Sequence, residues 1–378
     1  MSETWLTAFV WIGLALIASY VSIRTAVSVA MIEIMVGMIA GNVMRLETTQ
    51  WVNFLAGLGS VLLTFLAGAE IEPDALRKHW KAALGIGFIS FLVPFLGAMA
   101  LARFALGWSP DASKIAGVAL STTSVAVVYA VMIESGLNKT ELGKLILAAC
   151  FVTDLGTVLA LGVLFANYNL WLAGFVAVLV VVLIVFPRII EPFFKRFEGH
   201  VSEPEMKLLL AVLFFMGWLA SKADSEAVLP AYLIGLVVAG PLARHRETMH
   251  HIRVSTFALL TPFYFLKAGS LIRIADLVNG FWVIGILLLV KLVTKLIGVY
   301  PVARMFKMDH RISSYTTLLM STGLTFGTIS ALFGYTRGII SQSQYSALVV
   351  AVIASAIVPT MIAQAFYKPS VKVTEGSE

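Results

Sequence analysis

The chain is 378 residues long, 59% hydrophobic and only 13% charged, with a mean hydropathy of +0.92. A soluble domain carries about 25% charged residues, so this composition excludes a soluble enzyme or a nucleic-acid-binding module and points to an all-α polytopic membrane protein whose surroundings are a lipid bilayer. The net charge of +6 is therefore read against membrane topology, and the single cysteine, Cys150, allows no internal disulfide.

Apolar stretches divided by polar residues, glycine or proline predict about thirteen spans, at 5–23, 29–45, 52–71, 80–106, 112–134, 140–166, 169–190, 204–221, 225–242, 254–273, 281–306, 312–336 and 343–367. No basic residue precedes the first span and no small-residue cleavage site follows it, so it reads as a retained helix and not a signal peptide. Assigning alternate loops to one side gathers two thirds of the 27 basic residues there. By the positive-inside rule this places the amino terminus outside and the carboxyl terminus in the cytoplasm of a cell (inner) membrane. The expected division is a first repeat over about 5–166, a linker helix at 169–190, a second repeat over 204–367 and a short cytoplasmic tail, 368–378.

The fifth span is not a plain apolar helix. Ser121, Thr122, Thr123 and Ser124 put four hydroxyls in a row near mid-membrane, followed by Val125. In the twelfth, Ser321, Thr322, Gly323, Thr325 and Gly327 combine hydroxyls with two glycines at similar depth. Either stretch alone suits ordinary small-residue packing between helices. They lie seven spans apart, an odd offset, so if one half repeats the other the two copies run in opposite directions. Interrupted helices at matching positions of inverted halves mark a transporter's midplane site.

The sixth span, with the run 145–165 (LILAACFVTDLGTVLALGVLF), carries Asp154 roughly 15 Å into the hydrocarbon at 1.5 Å per residue. An Asp there costs about 2.5–3.5 kcal/mol, so it is either functional or a hydrogen-bonding pin between helices. The eleventh span carries Lys295 at comparable depth. Pairing the two is cheaper than leaving them single, whether or not the pair does more than hold helices together. Lys291 shares the face of Lys295 one turn earlier, and Lys267 lies within the tenth span. Glu33 and Glu70 fall nearer the cytoplasmic ends, where an acid reaches water. His250 and His251 sit in a basic loop and read as solvated.

A carboxylate beside broken helices suits exchange of a cation for a proton. Unwound carbonyls and the hydroxyls of Thr122, Thr123, Ser124 and Thr153 are hard oxygen ligands, and Asp154 supplies the charge for sodium or potassium. Proton and alkali cation then compete for one group. No phosphate-binding loop, metal cluster or nucleophile arrangement stands out, so neither an enzyme nor a cofactor is expected.

At these residues the chain resembles the cation:proton antiporter superfamily, in the branch of bacterial sodium/proton antiporters and the membrane domain of glutathione-gated potassium efflux proteins. Residues 30–42 are similar to its second span, 59–72 to its third, 119–136 to its first crossing helix, 138–158 to the helix of the ion-binding acid, and 294–298 (TKLIG) to its lysine-bearing helix. The resemblance implies the sodium/proton antiporter fold of thirteen spans, with inverted repeats, two crossing discontinuous helices, a mobile ion-carrying core and a panel that forms a homodimer. It also implies that Asp154 carries the ion, Thr123 and Ser124 line its site, and Lys295 bonds to the acid. Three departures stand out. Where the family has paired acids this chain has Thr153 and Asp154, of which only the second matches; the proline after the Thr-Ser pair is replaced by Val125; and the usual charged run in the twelfth span reads TGLTF over 322–326. With one carboxylate per site, exchange is electroneutral if Lys295 keeps its proton and electrogenic if it releases one. Two other classes use a similar architecture: a sodium-coupled symporter of an organic anion, which has less need of a lone midplane Asp, and a non-transporting sensor, which would tolerate its loss.

Overall fold

Backbone N–H and C=O groups in hydrocarbon find partners only within the chain, which favours helices. A computed structural model bears this out over residues 2–25, 28–44, 46, 48–70, 79–135, 137, 140–166, 170–197, 200–223, 225 and 227–369, which it describes. In chain order the helices are α1 (Ser2–Thr25), α2 (Val29–Val43), α3 (Gln50–Ala69), α4 (Trp80–Ala100), α5 (Pro110–Ser121), α6 (Val125–Glu134), α7 (Glu141–Leu164), α8 (Leu170–Phe197), α9 (Pro204–Lys222), α10 (Val228–Arg244), α11 (Arg246–Ser255), α12 (Thr261–Ser270), α13 (Ile274–Asn279), α14 (Phe281–Met305), α15 (His310–Met320), α16 (Thr325–Thr336) and α17 (Gln342–Ile362). Nine stretches among the described residues are long and apolar enough to cross a membrane, one of them the whole of His310–Thr336, and α2 and α10 are shorter apolar helices. Residues 71, 72, 136, 138 and 139 of the segments compared above, and 370–378 of the tail, lie outside the described residues.

The chain divides into two compact units, Met1–Pro73 with Val158–Val278, and Asp74–Thr157 with Asn279–Glu378. In the first unit α3 packs on α10 and α2 on α12. Both pairings rest on reciprocal glycines. A methyl group on Gly68 would strike the Tyr232 carbonyl and one on Gly235 the Phe65 carbonyl, while Gly37 meets Leu266 and Gly269 meets Ile34 in the same manner. Backbones this close are a membrane solution, because association there relies on van der Waals contact and not on water expulsion. Around them Phe65, Phe175, Phe194, Leu213, Met216 and Val238 form a fully packed core.

In the second unit each half of the chain supplies the same sequence of parts: a helix, a broken helix and a helix. The first set is α4, α5/α6 and α7 up to Thr157, and the second is α14, α15/α16 and α17. Helix α14 packs on α4, α15 and α17, and α16 packs on α5 and α17. Ile86, Met132, Ile146, Cys150, Val299, Tyr315 and Leu319 fill the space between them.

Three expectations are corrected. Residues 246–253, read as part of a basic loop, belong to α11, whose Glu247 in the first turn and Arg253 in the last complement the helix dipole. His251 is accordingly not simply solvated: its Nδ1 lies 2.9 Å from Glu203 Oε1. Glu33 does not reach water. It is 2% exposed inside α2, and its Oε2 has no hydrogen-bond partner. Glu70 is half-exposed and paired with Arg253, 2.7 Å from Nη2.

Candidate functional site

Both hydroxyl-rich stretches are breaks. Helix α5 starts on Pro110, with Ser109 accepting from Ala112 N at 3.2 Å, and stops at Ser121. Thr122, Thr123 and Ser124 are non-helical, and α6 resumes at Val125. Helix α15 stops at Met320 and α16 begins at Thr325, so Ser321, Thr322, Gly323 and Leu324 form the second break. Ser121 and Val125 thus flank the first break and Thr325 the second. Gly327 does not belong to the break: it lies in the first turn of α16, where a methyl would meet Val352 and the Ala119 carbonyl.

The sequence supplies at each break what water would supply elsewhere. Ser121 Oγ donates to Val118 O at 2.9 Å and Thr122 Oγ1 to Ala119 O at 3.1 Å; Ser321 Oγ donates to Thr317 O at 2.7 Å and Thr322 Oγ1 to Leu319 O at 2.8 Å. Carbonyls left open at the end of a helix are thereby satisfied inside a water-poor interior. Two bonds join the breaks to each other. Thr123 Oγ1 donates to Met320 O at 3.0 Å, and Ser124 N donates to Thr322 Oγ1 at 3.4 Å. A hydroxyl that donates its hydrogen keeps lone pairs, so the crossing is rich in oxygen acceptors.

Lys295 reaches this crossing from α14. Fully buried, its Nζ donates to Ser90 Oγ on α4 at 2.7 Å, to the Ser121 carbonyl at 2.9 Å and to Thr123 Oγ1 at 3.1 Å. The carbonyl end of α5 carries partial negative charge, which holds an ammonium there. This corrects the expected direct bond between Lys295 and the acid. Among the described residues no ion pair within 4 Å joins Lys295 to Asp154, because three oxygens of α4 and the first break already take the ammonium's hydrogens.

Asp154 is the fourteenth residue of α7 and Lys295 the fifteenth of α14. Both lie about 20 Å along their helices at 1.5 Å per residue. Asp154 is 2% exposed and its Oδ1 has no hydrogen-bond partner. Thr153 turns the other way: its Oγ1 donates to Gly87 O at 3.1 Å and Ala149 O at 3.0 Å, fastening α7 to α4. One turn before Asp154, Cys150 Sγ lies 3.7 Å from Met320 Sδ, which brings the acid's side of α7 against the end of α15.

Lys291, which by its place one turn from Lys295 either lines the same cavity or snorkels toward lipid, is buried with the cluster. It has no exposure and its Nζ has no hydrogen-bond partner. It lies over Gly323, where a methyl group would collide with Nζ and would also stand 2.9 Å from Thr122 Oγ1 and 3.2 Å from Ser355 Oγ. Ser90 and Ser355 are the members of this cluster that sequence reasoning missed. A lone serine in an apolar helix gives no signal beyond small-residue packing. Lys267, by contrast, is partly exposed on α12 of the other unit.

The unit brings together what a small monocation needs: one carboxylate with an open oxygen, the hydroxyl and carbonyl oxygens of two helix breaks, and a hydrogen-bonded lysine. The description "Sodium/hydrogen exchanger, transmembrane" matches residues 12–368. The chain belongs to the sodium/hydrogen exchanger family. This exchanger-family chain is 24% identical over 357 residues to a probable Na(+)/H(+) antiporter 3 of Methanocaldococcus jannaschii, covering 91% of each. It is 22% identical over 361 residues to the Na(+)/H(+)-K(+) antiporter GerN of Bacillus cereus, covering 93% of each. The solved structure of the sodium proton antiporter MjNhaP1 of Methanocaldococcus jannaschii superposes with a TM-score of 0.71 at 15% identity, covering 95% of this chain and 96% of that one. It shares the sodium/proton antiporter fold. Organic-anion symport and a non-transporting role gain no support from these matches.

Proposed function

We propose that this chain is a secondary antiporter that exchanges a monovalent cation, sodium or potassium, for protons by alternating access, with Asp154 as the group that carries either. The observation that carries this reading is the buried carboxylate of Asp154 with an open oxygen, in a unit where two helix breaks cross and their hydroxyls keep lone pairs. A bare carboxylate in such a place is expensive, and a proton and an alkali cation are two interchangeable ways of relieving it. Thr122, Thr123 and Ser124 offer oxygens on one side, Thr153 orients α7, and Thr322, Gly323 and Thr325 shape the second break. Three acceptors favour a Lys295 that stays charged throughout, so exchange at Asp154 trades one charge for one and is electroneutral. Sodium is supported by the names of both relatives and potassium by that of GerN alone.

The unit carrying Asp154 would be the ion-carrying core and the other the panel of a homodimer. The matching helix, broken helix and helix of each half support inverted repeats over 5–166 and 204–367 around a linker at 169–190. The distribution of basic residues supports a cell-membrane protein with its amino terminus outside and its carboxyl terminus in the cytoplasm.

The test is transport in proteoliposomes carrying a pH gradient. Sodium or potassium should collapse the gradient, an imposed membrane potential should leave the rate nearly unchanged, and Asp154→Asn should be inert. Exchange by Asp154→Asn at the wild-type rate would end the assignment of the carrier, and a steep voltage dependence would end the electroneutral stoichiometry.

A further inference from the structure

The two halves of the second unit place polar groups at matching steps. Asp154 is the fourteenth residue of α7 and Ser355 the fourteenth of α17; Ser90 is the eleventh of α4 and Lys291 the eleventh of α14. The packing matches too. The acid's side of α7 meets the end of α15 through Cys150 and Met320, while α17 packs on α5 and brings Ser355 to the end of α5, where Thr122 stands. Ser355 therefore holds in the second half the place that the acid holds in the first.

Lys291 fills the space beside it. A methyl group on Gly323 would collide with Nζ and stand 2.9 Å from Thr122 Oγ1 and 3.2 Å from Ser355 Oγ, so the amine and both hydroxyls border one point of the second break. Thr122 Oγ1 gives its hydrogen to Ala119 O at 3.1 Å, and Ser355 Oγ gives its own to Val352 O at 2.7 Å. Their lone pairs are left for a cation, as at the first break. Yet the amine bonds to neither hydroxyl, and among the described residues no carboxylate pairs with it. An amine enclosed on these terms costs stability and ties no helices together by hydrogen bonds. What it supplies is occupancy. A lysine side chain that ends in this space leaves no room there for a sodium or potassium ion.

We propose that Lys291 is a plug in a second cation place, with Ser355 where the first place has Asp154, and that it limits exchange to one ion per cycle. Its role in exchange rests on the antiport reading above; the second place itself stands on the geometry of Lys291, Thr122, Ser355 and Gly323.

Lys291→Ala/Ser355→Asp empties this place and gives it a charge. In nanodiscs, at ionic strength held constant with choline, the double variant should bind one more radiolabelled sodium or rubidium ion per chain than the wild type. Either ion should raise its melting temperature saturably, and choline should not. Adding Asp154→Asn should leave the extra ion in place. Wild-type ion binding in Asp154→Asn alone would strike the carrier and not the plug, so the two readings fail separately. Where the double variant does not fold, Ser355→Asp and Ser355→Asn, of equal size, are compared with Lys291 present, and the carboxylate should melt higher because the amine lies beside it. No extra ion in the double variant, equal stabilisation by choline, loss of the extra ion when Asp154→Asn is added, or Ser355→Asp melting no higher than Ser355→Asn would each overturn the plug.

Discussion

Lys291 and Lys295 lie one turn apart on the same helix with no solvent exposure, yet Lys295 donates three hydrogen bonds and Lys291 none. Their substitutions should therefore have opposite signs. Lys295→Met leaves the Ser121 carbonyl without its donor and should cost about 1–3 kcal/mol. Lys291→Met replaces a buried, unpartnered amine by an apolar chain of similar length and should raise stability by about 1–4 kcal/mol. Melting curves of the two variants in one detergent decide the matter. A loss at Lys291 as large as that at Lys295 would mean that the contrast in partners has no energetic weight.

Thr123 is the hinge between three elements, since its hydroxyl accepts from Lys295 and donates to Met320 O. Thr123→Val keeps the shape and removes both bonds, so it should cost about 1–3 kcal/mol and depress exchange. Thr123→Ser should restore both. If valine and serine variants transport equally well, the hydroxyl has no part in holding the crossing.

Gly323 is required by Lys291 and not by its own backbone. A methyl group there meets Nζ, so Gly323→Ala should destabilise by about 1–3 kcal/mol. Shortening the lysine removes the nearest obstacle and leaves Thr122 Oγ1 at 2.9 Å. In Lys291→Ala the same glycine substitution should cost at least about 1 kcal/mol less, a coupling that a double-mutant cycle by thermal melting reads directly. Strict additivity would show that Lys291 does not occupy that space.

The glycine contacts of the first unit give a prediction independent of ion chemistry. At Gly235 a side chain would press on the Phe65 carbonyl, which cannot move away, whereas nothing lies within 4 Å of a methyl on Gly57. Gly235→Val should cost about 3 kcal/mol or more, and Gly57→Ala should be neutral or slightly stabilising. Comparing the folded yield of the two by size-exclusion chromatography tests this. Equal yields would contradict the close approach of α3 and α10.

Much of the candidate site was legible because the membrane makes polarity costly. Asp154, Lys295 and the two hydroxyl runs stand out of apolar sequence, and the breaks fall where those runs are. Other features were not legible. The partner of Lys295 depends on which oxygens lie nearest its Nζ, and Ser90, 205 residues away along the chain, was closer than the acid expected from charge alone. His251 was read as a solvated loop residue, and neither its place on α11 nor its contact with Glu203 was legible, because that contact spans a loop and two helix ends.

By itself, then, the sequence determined the class of molecule, its helical character and the residues too polar for their surroundings, because each of these follows from the local cost of putting a given side chain or backbone group into hydrocarbon. Only the tertiary structure decided which of the buried groups meet: Lys295 with the end of α5, Lys291 over Gly323, and Asp154 with one oxygen open. Those pairings depend on how close helices distant in the chain approach, and that is set by packing at glycines and serines whose local signal is the same wherever they occur.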